Sequence, residues 1–267
     1  PASKVPQTVI SNGYAIPLFS TPDEQLRHAL GWFPDLHEKR AALEVVIDAF
    51  PDARTIHAEA RLDLAYLALG RDYRYATPAQ CQTAIGKYKK ILSEFSDLPA
   101  ICAEANWYIG WILADLLDEP GKAVKYFQTV VETYPDTTLQ LKSAVPWVSL
   151  VLPQVEKRPQ AVYERPRYYW SSIALLGLVR TSERQDDKWS AFEKLYTDHR
   201  SSQATGYAIR ELLSGSASLR RKTAAYAEQH LKAKMFSGPM AKEIHALLQN
   251  GDPLEPRSHN RLDPGAE

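Results

Sequence analysis

The chain has 267 residues, 45% of them hydrophobic and 24% charged, which is the make-up of a folded globular chain. Lys plus Arg and Asp plus Glu both total 32, so the formal charge is zero and no global field steers the protein to nucleic acid or to an acidic membrane. No apolar run approaches the ~18–20 residues of a membrane span.

In chain order, residues 1–20 are polar and carry Pro6, Pro17 and Asn12-Gly13, which reads as an extended, irregular N-terminal arm. Thr21-Pro22-Asp23-Glu24 starts a helix: a cap, a proline in the first turn and acids near the positive end. Gly31 and Pro34 interrupt it. A helix over 36–50 follows, with Leu43, Val46, Ile47 and Phe50 as its apolar stripe. The next helix runs from Arg54 to Leu69 and is stopped by Gly70. A link with Tyr73 and Tyr75 leads to Thr77-Pro78, which caps a helix to Phe95. From Pro99, one helix carries Ala103, Ala105, Gly110 and Leu113 on a face and is broken at Pro120-Gly121. A second then carries Ala123, Phe127 and Val130 at helical spacing and stops at Tyr134-Pro135-Asp136.

Later, Thr138–Leu152 predicts a helix kinked or broken at Pro146, and residues 156–166, with Pro159 and Pro166, predict the boundary between an N-terminal and a C-terminal half. Arg167–Arg180 pairs with Asp187–Asp198, and Ala204–Leu213 with Ser216–Met235 around Gly215. Gly238-Pro239 opens a last helix to about Leu248, and residues 250–267 read as a flexible tail. No strand-like alternation emerges, so the expected fold is all-α with irregular arms at both ends.

The chain repeats. Ala58-Glu59-Ala60 recurs as Ala103-Glu104-Ala105, 45 residues on (58 to 103), and Phe50-Pro51-Asp52 recurs at the same offset as Phe95-Ser96-Asp97. With Tyr134-Pro135-Asp136, an aromatic-(Pro/Ser)-Asp stop closes three successive helices. This pattern resembles the tetratricopeptide repeat, a helix–turn–helix of about 34 residues. The small positions are Ala65 with Ala84 and Gly110 with Ala123, the large ones Tyr88 and Phe127, and the closing prolines Pro51 and Pro135. The units are longer than usual and Ser96 stands where a proline is expected. In this the chain is similar to the bacterial-envelope type of repeat, the BamD and Tol-Pal coordinator type. The resemblance covers roughly residues 36–136 and is specific for architecture. It implies a right-handed α-solenoid of antiparallel helical hairpins over 21–155, continued by divergent hairpins over 156–249.

The two cysteines, Cys81 and Cys102, belong to successive helices and stand about 15 Å apart at the helical rise, too far for a disulfide. Two free, packed thiols are expected. The start at Pro1-Ala2-Ser3 reads as a processed or trimmed form, compatible with a removed secretory signal. With the resemblance, this points to a periplasmic or otherwise extracytoplasmic location in a bacterium, with the cytoplasm as the alternative.

The sequence carries no recognisable catalytic signature. There is no phosphate-cradling glycine loop, no Cys-x-x-Cys, no His-x-x-x-His and no Gly-x-Ser-x-Gly elbow, so neither a cofactor nor a metal is expected. Glu59, Asp63 and Glu104 read as an acidic groove lining, and Arg220, Arg221, Lys222, Lys232 and Lys234 as an exposed basic helix face. Trp107 and Trp111 share one helix face. The resemblance turns the first helix of each unit to the concave surface, placing Glu59, Leu62, Tyr66, Glu104, Trp107 and Trp111 there. Such a groove suits an extended peptide or a partner helix, while core packing is the alternative for both tryptophans.

The leading expectation is a non-enzymatic scaffold binding another polypeptide as an assembly factor or accessory subunit of an envelope complex. The alternative is a helical-solenoid hydrolase of cell-wall glycan, with Glu164, Glu183 or Glu211 as its acid. A third is a self-associating stack; the arms, as caps, favour a monomer or homodimer.

Overall fold

The computed structural model describes residues 7–31, 33, 35–138, 169–200, 202–233, 235 and 238–250. The expected kink at Pro146, the boundary over 156–166 and the tail after 250 lie outside the described residues. Among those described the protein is mainly helical, as expected, and it divides into two compact units, Pro1–Ala174 and Leu175–Glu267.

The first unit opens with a correction. In place of an irregular arm, β1 (Gln7–Ser11) and β2 (Tyr14–Leu18) form an antiparallel hairpin with Ser11 opposite Tyr14. The turn residues Asn12 and Gly13 both have positive φ, 50° and 84°, the two-residue turn whose twist matches paired strands. Ile16 is buried beneath the hairpin and packs, with Val9, Tyr14 and Leu18, against Leu26, Ala42 and Val46.

Six helices follow. These are α1 (Pro22–Ala29), α2 (Leu36–Ala49), α3 (Arg54–Tyr66), α4 (Pro78–Glu94), α5 (Pro99–Trp111) and α6 (Pro120–Thr133). Their starts follow from local chemistry. The Thr21 and Asp35 side chains accept from the first-turn N–H groups of Glu24 and His37, and Thr77 with Gln80 forms a reciprocal capping box. Tyr14 donates to the Asp35 carboxylate at 2.5 Å, fastening the hairpin to the start of α2. Two helices end in altered turns: α3 tightens over Leu67–Leu69 up to Gly70 at φ 92°, and α5 widens into a π turn over Ile112–Leu116.

The three aromatic stops share one structure. Phe50, Phe95 and Tyr134 are the C-caps of α2, α4 and α6, at φ,ψ of −131°,61°, −123°,32° and −128°,43°. At the second, Arg54 donates to the Asp97 carboxylate and to the Glu94 carbonyl, Arg61 pairs with Glu94, and both guanidinium groups lie over the Phe95 ring. The Arg54 contact holds the Asp97 carboxyl below its ordinary range.

Each of these helices packs on the next, and α1 with α3 and α3 with α5 also touch. The small positions work as spacers: Ala65, Ala84 and Ala123 are fully buried, and a Cβ on Gly110 would lie 2.7 Å from the Phe127 ring. Cys81 and Cys102 are buried free thiols, as expected. After α6 the chain makes one more short pairing. Thr138 forms an antiparallel bridge with Tyr169, Trp170 N–H donates to the Thr137 carbonyl at 3.1 Å, and the Ser171 hydroxyl donates to the Pro135 carbonyl at 2.8 Å.

Trp170 begins α7 (Trp170–Thr181), which runs into the second unit. That unit continues with α8 (Gln185–Asp198), α9 (Gln203–Leu213), α10 (Ala217–Lys232) and α11 (Gly238–Asn250). Helix α9 contacts α8, α10 and α11, and its Ile209, Leu212 and Leu213 are buried. Phe192 lies among the rings of Trp189, Tyr196 and Tyr226. Helix α8 ends on His199 at φ,ψ −135°,35°, the conformation of the three aromatic stops.

Candidate functional site

The site expected from the sequence lies on α3 and α5, which touch. Three of its residues are more deeply placed than a groove floor requires. Leu62, Trp107 and Trp111 are buried, at 3%, 5% and 9% exposure. Glu59, Tyr66 and Glu104 are half-buried and stand nearer the surface.

The aromatic residues are one another's packing partners. Trp107 and Trp111 stack nearly parallel with centroids 6.2 Å apart, and Trp107 meets Trp170 at 5.9 Å. Tyr108 stacks on Tyr88 at 5.0 Å and contacts Tyr66 at 5.9 Å, while Tyr73 bridges Tyr66 and Trp111. The structure thus gathers Tyr66, Trp107 and Trp111 into one cluster, as the sequence spacing implies, but through Tyr73, Tyr108 and Trp170, which were not singled out as site residues. Tyr73 sits in a turn and Trp170 follows a gap of more than fifty positions, so no helical period links either to α5. Tyr108 neighbours Trp107 in sequence, and its place in the cluster depends on Tyr88 from α4.

Carboxylates border the cluster. Burial first, then the charges of Glu104 and Asp63, pushes the Tyr88 hydroxyl well above its ordinary pKa. Tyr66 is raised by burial first, then by Tyr73 and the acids Asp72 and Asp63. Both phenols stay protonated at physiological pH, so they act as apolar rings carrying a donor and hold no proton ready for transfer near neutrality. Among the described residues the Tyr88 hydroxyl is buried without a hydrogen-bond partner. Tyr88→Phe removes a buried, unsatisfied polar group while keeping the stacked ring. It is expected to stabilise the protein by about 1 kcal/mol, read as a higher denaturant midpoint. A loss of stability would mean that the hydroxyl is satisfied in solution.

The glutamates considered as alternative catalytic acids lie elsewhere in the chain. Glu183 is exposed between α7 and α8, Glu211 is half-buried on α9, and Glu164 lies outside the described residues. Among the described residues no group of three His, Cys, Asp or Glu is placed to hold a metal ion, and no helix is long and apolar enough to cross a membrane.

No protein-family model, curated protein or solved structure matches this chain.

Proposed function

We propose that the protein is a non-enzymatic scaffold of the tetratricopeptide type, a right-handed solenoid of helical hairpins that holds a partner polypeptide as an assembly factor or accessory subunit of a bacterial envelope complex. The observation that carries this reading is the direct packing of α3 on α5, two first helices of the repeat, with carboxylates bordering a shared aromatic cluster. The repeated stops at Phe50, Phe95 and Tyr134 and the Gly110–Phe127 approach support the repeat itself.

Within this reading the six expected residues divide their work. Glu59, Tyr66 and Glu104 meet the partner, and Leu62, Trp107 and Trp111 lie beneath them and hold the platform in shape. A photo-reactive residue tests it without disturbing the core. Introduced at Glu104, it is expected to capture one defined polypeptide in cells, while the same residue at exposed Lys89 on α4 captures none. Equal capture at both positions, or none at Glu104, would sink the proposal.

A further inference from the structure

The tip of the hairpin that replaces the expected arm is chemically live. Asn12 and Gly13 turn the chain at positive φ, 50° and 84°, and both are exposed. Gly13 has open space around it: among the described residues, a Cβ built there would meet nothing within 4 Å. Its backbone nitrogen follows the Asn12 side chain directly, with no side chain of its own in the way. The Asn12 amide has a task. It donates to the carboxylate of Glu44, a half-buried residue of α2, and ties the tip of the hairpin to that helix.

Two demands meet at residue 12. Asp-Gly makes the same turn as Asn-Gly. An aspartate, however, would set its carboxylate against that of Glu44, so the amide is what serves both the turn and the contact. The carbon of that amide is also an electrophile, and glycine is the least hindered neighbour from which a backbone nitrogen can reach it. Asn106 shows the contrast. It is buried in α5, its amide donates to the Cys102 carbonyl at 2.9 Å, and bulky Trp107 follows it.

We propose that Asn12 is a self-modifying site, converted to aspartate and isoaspartate by its own backbone, with Glu44 setting both the rate and the consequence. The Gly13 nitrogen attacks the Asn12 side-chain carbonyl carbon. The new N–Cγ bond closes a cyclic imide, the Cγ–Nδ2 bond breaks, and Nδ2 leaves as ammonia with the proton that the Gly13 nitrogen gives up. Water then opens the imide, and nothing is oxidised or reduced. Addition at the side-chain carbonyl gives aspartate. Addition at the main-chain carbonyl gives isoaspartate, whose backbone runs on through the former side chain.

Before the reaction Glu44 is a brake, because its contact keeps the amide from the rotation that brings Cγ to the Gly13 nitrogen. Afterwards it drives the tip away. The donor is gone, two carboxylates face each other, and isoaspartate adds a main-chain atom to the turn that sets Ser11 opposite Tyr14. Loss of ammonia makes the step one-way, so the hairpin tip is released from α2 as the molecule ages.

Peptide mass spectrometry of the full chain, held folded at physiological temperature and mildly alkaline pH, tests this. The peptide bearing Asn12 is expected to gain about one dalton with time and to resolve into aspartyl and isoaspartyl forms, while that bearing Asn106 stays unchanged. Glu44→Ala is expected to speed conversion at Asn12 about fivefold, the gain in freed amide when one hydrogen bond of ordinary strength is lost. Conversion at Asn250-Gly251, whose asparagine ends α11 in the other unit, should keep its rate, which separates a local effect from general unfolding. Asn12→Asp reproduces one product. It is expected to lower the melting temperature in the parent but not beside Glu44→Gln, whose amide donates to the new carboxylate. No mass gain at Asn12, an unchanged rate there in Glu44→Ala, or an equal loss on Asn12→Asp in both backgrounds would each overturn the inference.

Discussion

Truncating Phe127 to alanine is expected to cost the protein about 3–5 kcal/mol, read from equilibrium unfolding, because the ring is almost fully buried and leaves a cavity between two helices. The reciprocal change is smaller. Gly110→Ala gains up to about 1 kcal/mol of helix propensity, but its methyl meets three Phe127 ring carbons at 2.7–3.0 Å, for an overpacking cost of about 1–3 kcal/mol. The ring's far edge can give only by pushing on its own neighbours, so the net expectation is a loss of about 1–2 kcal/mol. Phe127→Leu withdraws that edge, and Gly110→Ala in that background should be nearly neutral, a coupling of about 1 kcal/mol in a double-mutant cycle. Strict additivity would show that the two positions do not form a lock and would weaken the repeat assignment with it.

Trp107→Ala is expected to be of similar size, about 3–5 kcal/mol, with unfolding followed by the remaining tryptophan fluorescence. Its indole contacts Tyr108 at 5.4 Å, Trp111 at 6.2 Å and Trp170 at 5.9 Å, so removal strips one wall from three other rings. Adding Trp111→Ala should cost less than it does alone, because the stacked partner is already gone. An effect below about 1 kcal/mol would mean that the indole is solvated in solution and available to a ligand. The expected large loss has a practical corollary. On the proposed scaffold reading, a Trp107 variant that fails to bind a partner reports on folding, and substitutions at half-buried Glu59 or Glu104 are the test of contact.

The helices were legible where the backbone leaves chemical signatures. Thr21-Pro22 and Thr77-Pro78 satisfy orphan first-turn donors, and the aromatic-(Pro/Ser)-Asp stops fixed three helix ends because they occupy one C-cap conformation. The end of the helix at Asp198 was also legible, but not its kinship with those stops: His199-Arg200-Ser201 lacks their sequence pattern, although the C-cap backbone adopts the same conformation. The hairpin escaped for another reason. Its strands are five residues long, and Pro17 argues against a strand unless its missing N–H is known to face away from the ladder.

The site was legible only in part. Spacing correctly put Trp107 and Trp111 on one face, but α5 is buried around most of its circumference, so no apolar stripe distinguishes a groove side from a core side. Burial of the tryptophans is settled by contacts from Tyr73 and Trp170, which are distant in sequence.

The pairing of Thr138 with Tyr169, tightened by the Trp170 to Thr137 hydrogen bond, has a kinetic corollary. The bridge joins positions 31 apart in sequence (138 to 169), whereas from α2 to α6 each helix packs on its neighbour in the chain. Contacts between distant positions form more slowly than local ones, so this clasp, which also seats Trp170 beside Trp107, is expected to close after the helices of the first unit have paired.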